Sequence, residues 1–251
     1  MKLCDSLLTG PRALAGGYPL ILRTLCLTAL ALPAVPANAP TFENEQLHYS
    51  VNWPSGLSLG EAEFGASSSK DAVKPAERLH LQFDLNAGVP GFSVSDRYRS
   101  EASPEFCSAE FQRTASHGSK KTDEKITFDA NGGRATRETV GGGNSELDTS
   151  ACGRDALAFL YYVRHELSQG RIPPSQTVFL GAPYEVRLEF AGTQSIRIGD
   201  KPVEADRVNA SVKGPSSGVN FEVFFLKDRV RTPALVRVPL ALGTFTMELV
   251  R

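Results

Sequence analysis

Gln46-Leu47-His48-Tyr49-Ser50-Val51-Asn52-Trp53 decides the fold class. Leu47, Tyr49, Val51 and Trp53 fall on one face and the polar residues between them on the other, the period of two of a half-buried β-strand. Pro54-Ser55-Gly56 is a turn signal. Leu57, Leu59, Ala62 and Phe64 resume beyond it, so the stretch predicts a β-hairpin with Trp53 near its tip.

The same period recurs outward from this hairpin. Leu79, Leu81, Phe83 and Leu85 alternate, and so do Phe92, Val94, Asp96, Tyr98 and Ser100, with Arg97 and Arg99 opposite. Segments 108–115 and 120–128 form a pair around His117-Gly118-Ser119. Asn131-Gly132-Gly133 is a tight-turn signal before the 135–140 segment. Gly141-Gly142-Gly143-Asn144-Ser145 is a polar break. Further strands are expected over 177–180, 184–190, 196–198, 203–212, 219–226, 234–240 and 244–250.

A single helix is expected, over 155–168. Leu157, Leu160, Tyr161, the stem of Arg164 and Leu167 follow the 3.6 period, and Ala156, Phe159 and Val163 widen the apolar face. Asp155 favours its N-terminus through the helix dipole. Gly170 suits the C-terminal cap, and Pro173-Pro174 prevents continuation. The expected architecture is mainly β, α+β at most. It is a strongly curved antiparallel sheet or an open β-barrel of about a dozen strands, with this helix packed on it. Polar residues on one face of each strand argue against a buried parallel sheet, and curvature reduces exposed edges. Two β halves joined by the helix are an alternative arrangement.

The first forty residues read as a targeting segment. Lys2, Arg12 and Arg23 precede or interrupt an apolar run, Leu25 to Val35, that closes on Ala34-Val35-Pro36-Ala37-Asn38-Ala39. A basic region, a short apolar core and an Ala-x-Ala-like site make a secretory signal peptide over 1–37. The run is shorter than the ~20 residues a bilayer span needs. Cleavage after Ala37 or Ala39 fits, and Pro40 disfavours the second. Arg23 stands where a lipobox before Cys26 would place an aliphatic residue. The exported part, 41–251, is expected to be one β-rich domain in the periplasm or secreted, with no transmembrane span.

The chain carries 27 basic and 28 acidic residues, and loss of Lys2, Arg12, Arg23 and Asp5 with the leader leaves a net charge of about −3. That argues against a nucleic-acid partner, which requires a basic face, and against an anionic membrane surface. Cys4 and Cys26 leave with the leader, so the exported pair is Cys107 and Cys152. In an oxidising compartment such a pair bridges, closing a loop that stabilises the fold by roughly 3–4 kcal/mol. Two buried free thiols are the alternative.

The order of these pieces resembles a known family. It runs from the opening 47–53 strand with Gly60, through Asp96-Arg97-Tyr98-Arg99-Ser100, to Phe106-Cys107, Phe111, Gly118 and Thr127-Phe128-Asp129. The helix Asp155-Ala156-Leu157-Ala158-Phe159-Leu160-Tyr161-Tyr162-Val163-Arg164 follows. Phe224-Phe225-Leu226-Lys227-Asp228-Arg229-Val230-Arg231-Thr232-Pro233 and Met247-Glu248-Leu249 close the chain. Together they resemble the exported bacterial family known as domain of unknown function 3108, over roughly 41–251. The resemblance implies an envelope protein with a mainly antiparallel β fold. That family has no assigned activity, so it carries no functional residue over.

Catalytic signals are weak. Gly214-Pro215-Ser216-Ser217-Gly218 matches G-x-S-x-G, but a nucleophile elbow needs a following helix and here a strand follows. His48, His80, His117 and His165 are scattered, with no metal-ligand spacing. Nothing calls for a cofactor or a metal. Glu61 and Glu63 point the same way from one strand, and with Asp96 they are the candidate carboxylates of an envelope hydrolase acting on glycan or peptide. Such a hydrolase requires the carboxylates to converge in one cleft. Arg97 and Arg99 are expected to pair with acids across the sheet. Gly141-Gly142-Gly143 lacks the context of a phosphate loop.

The aromatic residues carry the remaining expectation. Consecutive Tyr161-Tyr162 and Phe224-Phe225 must point to different faces. Trp53, Tyr98, Tyr161, Tyr162 and Phe224 are therefore the candidate lining of an apolar cavity. The sequence thus favours a non-enzymatic binding or scaffold module, taking an apolar small molecule or lipid, over the hydrolase. A structural subunit docked on another envelope protein is the third reading.

Overall fold

A computed structural model describes residues 42–70, 77–215, 218–241 and 243–250. The leader reading, with Cys4, Cys26, Ala37 and Ala39, lies outside the described residues, as do Ser216 and Ser217. The described chain makes fifteen strands and one helix. The first eight are β1 (Glu45–Asn52), β2 (Ser58–Lys70), β3 (Glu77–Val89), β4 (Phe92–Ala102), β5 (Ser108–His117), β6 (Lys120–Phe128), β7 (Arg134–Thr139) and β8 (Gly143–Asp148). After β9 (Arg154–Asp155) and α1 (Ala156–Ser168) come β10 (Gln176–Leu180), β11 (Ala182–Ile198), β12 (Lys201–Lys213), β13 (Gly218–Leu226), β14 (Pro233–Leu240) and β15 (Gly243–Leu249).

All fifteen strands form one sheet, which neither splits into two halves nor closes. Its order is sequence order wrapped round on itself: β8 back to β1, then β15 back to β9. The seam is the pairing of the first strand with the last, Tyr49 opposite Leu249 and Val51 opposite Met247. The free edges are β8 and β9. Every pairing is antiparallel except that of β9 with β10, which α1 connects. This is an open, strongly curved barrel.

Two local readings are corrected. The 184–190 and 196–198 segments are one strand, β11, whose register shifts between Phe190 and Thr193. A bulge admits the extra residues without ending the strand. The 141–145 break is only a turn. Gly141 and Gly143 take positive φ (76° and 81°), and the chain reverses there into β8.

The helix is a plug rather than a lid. One side sets Leu157, Ala158 and Tyr161 against Leu81, Phe111, Ile126 and Phe128 of the first half of the sheet. The other sets Phe159, Val163 and Leu167 against Val178, Val186, Val208, Val223 and Phe225 of the second. Apolar residues on both sides are what a buried helix requires. A third cluster, around Tyr49, Ala62, Ile196, Phe224, Leu235 and Leu249, fills the space under the seam.

Polar groups fix the plug. Asp155, buried completely, caps the helix by accepting from the backbone N–H of Leu157 and Ala158 at 2.8 and 3.1 Å. Its other oxygen accepts from the Ser100 and Ser108 hydroxyls, both at 2.6 Å. Arg164 is buried to its guanidinium, not by its stem alone. It holds Glu45 of β1 with two 2.6 Å bonds and donates to the Val230 carbonyl at 3.0 Å. Cys107 and Cys152 are bonded, tying the β4–β5 turn to the link before β9.

Candidate functional site

Strands β11 to β15 turn a row of polar side chains to solvent, and with Pro54, Ala210, Phe221 and Pro239 among them they line a basin of about 1040 Å³. Alternation sends Tyr184, Val186 and Leu188 to the core side, where they join the helix cluster. Glu185, Arg187 and Glu189 then fall on the opposite side, in the basin. The register extends them into rows. Arg187 stands opposite Ser211, which stands opposite Asn220. Glu189, Asn209, Glu222, Arg237 and Thr246 make a second row across all five strands.

The basin's charges divide into two sets. Glu222 lies 3.4 Å from Arg207 and 3.9 Å from Arg237, and Arg237 stacks 4.7 Å over the Phe224 ring. Glu185, Arg187, Glu189 and Lys213 make no ion pair among the described residues. The face therefore offers two free cations, two free carboxylates and the amides and hydroxyls of Asn209, Ser211, Asn220, Thr244 and Thr246. Strands lie about 4.7–4.9 Å apart. Each row is thus a ladder of donors and acceptors at roughly the length of one sugar ring.

Two smaller concavities lie on the outer face of the first half. One, of about 460 Å³, sits over Gln46, Gln82, Arg99 and Gln112. Gly65 leaves the berth that the Gln82 side chain occupies, where a Cβ would collide with it. Arg99 is committed to Asp84 at 2.8 Å, and Arg97 reaches the same carboxylate at 3.2 Å, the expected cross-strand pairing. The other, of about 380 Å³, contains Glu61 and Glu63 with His48 and Asp84. His48 lies 3.6 Å from Glu63.

The three candidate carboxylates do not converge. Asp96 stands opposite Leu85, which stands opposite Ala62. It therefore projects from the face opposite to Glu61 and Glu63. There it is buried, with His117 Nε2 at 2.7 Å and the Tyr98 hydroxyl donating at 3.2 Å. Burial, then the Asp96 charge, pushes the Tyr98 hydroxyl up to about 12. Arg113 bonds Glu124 at 3.0 Å beside them. The Asp96–His117 pair bonds no serine, threonine or cysteine among the described residues, so it lacks the nucleophile of a hydrolytic dyad. No group of three metal-ligating side chains occurs among those residues either.

Of the five candidate aromatic residues, Tyr98, Tyr161 and Tyr162 pack on one core cluster, and Trp53 and Phe224 lie elsewhere. Trp53 is half-buried at the β1–β2 turn, edge-on to Phe245 at 4.9 Å. Tyr98 continues a run of rings through Phe83 and Phe64 to Tyr49. Tyr161 is fully buried, its hydroxyl donating to Glu45 at 3.0 Å. Tyr162 lies under the Arg154 guanidinium at 3.9 Å. Phe224 and Phe225 do point to opposite faces, but both are buried, in the seam and helix clusters respectively. These rings fill the interior rather than share one hollow. The basin residues were visible in the sequence only as the polar members of alternating strands.

The model of a family described as "Protein of unknown function (DUF3108)" matches residues 48–250. Among curated proteins none matches. One solved structure with this fold is a β-barrel-like protein of domain of unknown function DUF1849 from Brucella abortus. It shares 8% identity at a TM-score of 0.58, over 85% of this chain and 98% of that one. No helix among the described residues is long and apolar enough to cross a membrane.

Proposed function

The chain belongs to the DUF3108 family of proteins of unknown function, and from that premise we propose that it is a non-catalytic binding module of the cell envelope. Its ligand is polar: an extended, hydroxyl-rich chain, a glycan, laid across the β11–β15 basin. The reading places the protein outside the cytoplasm on the strength of the leader-like first 37 residues.

One observation carries this reading: a concave polar face whose rows of side chains cross five strands in register. Arg187, Lys213, Glu185 and Glu189 are free there to meet a ligand. The interior speaks for the same division of labour, because its aromatic rings are spent on the core. Asp96 lies on the opposite face from Glu61 and Glu63, so the three candidate carboxylates do not form one acid–base set.

The test is isothermal titration of the protein with neutral, acidic and amino-sugar oligosaccharides, repeated on Asn209→Ala/Asn220→Ala. At about 1 kcal/mol for each lost hydrogen bond, the double variant should bind at least tenfold more weakly. Failure of all three glycan classes to bind, or binding that the double variant leaves unchanged, rejects the proposal.

A further inference from the structure

Antiparallel pairing in sequence order sends alternate turns to opposite rims of the open barrel. Seven turns share one rim, those after β1, β3, β5, β7, β10, β12 and β14. Eight large apolar side chains stand exposed among the described residues, and six of them lie at these turns: Leu57, Val89, Phe92, Val140, Val219 and Leu240. Of the other two, Phe190 sits at the β11 bulge and Val250 at the end of the chain. Burial would normally hide such residues, and scattered single ones need no explanation. Six on one rim, spread over five separate hairpins, are a pattern.

The same rim is biased in charge. From strand end to strand start, its turns hold Lys120 and Lys213, both exposed, and no Asp or Glu. One residue further in, Lys121 and Glu138 cancel. The opposite rim differs in holding acids among its bases: Glu77, Glu105, Asp129, Asp200 and Asp228 stand with Lys70, Arg134, Lys201, Lys227, Arg229 and Arg231. Apolar prongs on separate hairpins do not build a groove for a folded partner. They suit a deformable phase that each can enter alone, and lysines without acids suit anionic headgroups.

We propose that this rim docks on the surface of an anionic lipid bilayer, with the six apolar tips entering the boundary between headgroups and acyl chains. Trp53, half-buried at the first of these turns, lies at the depth where an indole prefers a membrane interface. Lys213 belongs to both the basin and the rim, but none of the six apolar tips lines the basin, so this inference stands apart from glycan binding on those tips. It adds an orientation: bound at the rim, the sheet stands with its strands rising from the membrane and the basin on its flank.

Trp53 is the only tryptophan in the chain, so its emission reports this rim and no other segment. The full chain is mixed with vesicles of phosphatidylglycerol and phosphatidylcholine in equal parts, and with vesicles of phosphatidylcholine alone. The expected result is a blue shift, with quenching by brominated lipid, on the anionic vesicles. Lys120→Gln, a lysine outside the basin, should weaken partition roughly fivefold, at about 1 kcal/mol per lysine. Leu57→Ser/Leu240→Ser should abolish the quenching while leaving the far-ultraviolet circular dichroism unchanged. Sedimentation with vesicles but no change in Trp53 would mean that another segment binds, and overturns the proposal. So does an equal response to both vesicle types. A rim-to-rim dimer in solution, with no vesicle response, overturns it in favour of an interface between two copies.

Discussion

Replacing Arg164 by methionine should unlatch the seam of the sheet from the helix plug. Glu45 opens β1, the strand that pairs with β15 to make the seam, and Arg164 joins it to the helix plug. The substitution removes two 2.6 Å bonds to Glu45 and one 3.0 Å bond to the Val230 carbonyl. It also removes the guanidinium from between the rings of Phe42 and Tyr161, 4.5 and 4.7 Å away. What remains is a carboxylate only 13% exposed, with the Tyr161 hydroxyl as its one remaining partner. Removing one member of a buried ion pair costs about 3–5 kcal/mol, a large share of the ~5–15 kcal/mol that holds a domain folded. In urea unfolding followed by circular dichroism, with a slope of about 3 kcal/mol/M, the midpoint should fall by about 1–1.7 M. The double variant Glu45→Gln/Arg164→Met should lie well above the sum of the two singles, because no charge is then stranded. A loss under about 1 kcal/mol for Arg164→Met, or additivity in the cycle, would refute the claim that this pair latches seam to plug.

Three further outcomes are expected. Breaking the Cys107–Cys152 bond, by reduction or by Ser at both positions, frees a loop with a sequence separation of 45 residues; the chain-entropy relation gives about 4 kcal/mol, readable as a lowered urea midpoint. Burial raises the Asp155 carboxyl above its usual range despite its four hydrogen-bond donors. The folded state then binds a proton more readily than the unfolded chain, so this group's contribution to stability grows as pH falls through the raised value towards 3.8 and levels off below it. Wild type should therefore gain on Asp155→Asn in acid melts, and a difference independent of pH would contradict this. Gly181 takes φ 75°, and a Cβ there would collide with the Glu124 carboxylate. Gly181→Ala should cost about 2 kcal/mol in thermal unfolding, whereas a neutral result would mean that the turn is free to move.

Much of the fold is legible because it rests on local chemistry. Tyr49 and its alternate neighbours declare a strand, and Asp155 with Leu157, Tyr161 and Leu167 declares a capped helix. The seam is not legible, since nothing near Tyr49 says that Leu249 lies opposite. Nor is the continuity of β11, because Ala191-Gly192 reads as a stop although the sheet carries it as a bulge. Arg164 misleads for a related reason. A guanidinium on an apolar helix face reads as a stem packed under a wet head, and only Glu45, 119 positions away, makes its burial affordable. The basin is the extreme case. Glu185, Arg187 and Glu189 are plain as the polar half of an alternation, but a polar face becomes a container only through curvature, which belongs to the whole sheet.

The decisive measurement is a backbone-amide NMR titration of the protein with an oligosaccharide and, separately, with a fatty acid. The account predicts that the oligosaccharide shifts signals along Arg187, Asn209, Asn220, Glu222 and Thr246, and leaves Tyr161 and Phe224 still. Fatty-acid shifts centred on Tyr161, Tyr162 and Phe224, with a silent β11–β15 face, would contradict it and make the interior the binding site.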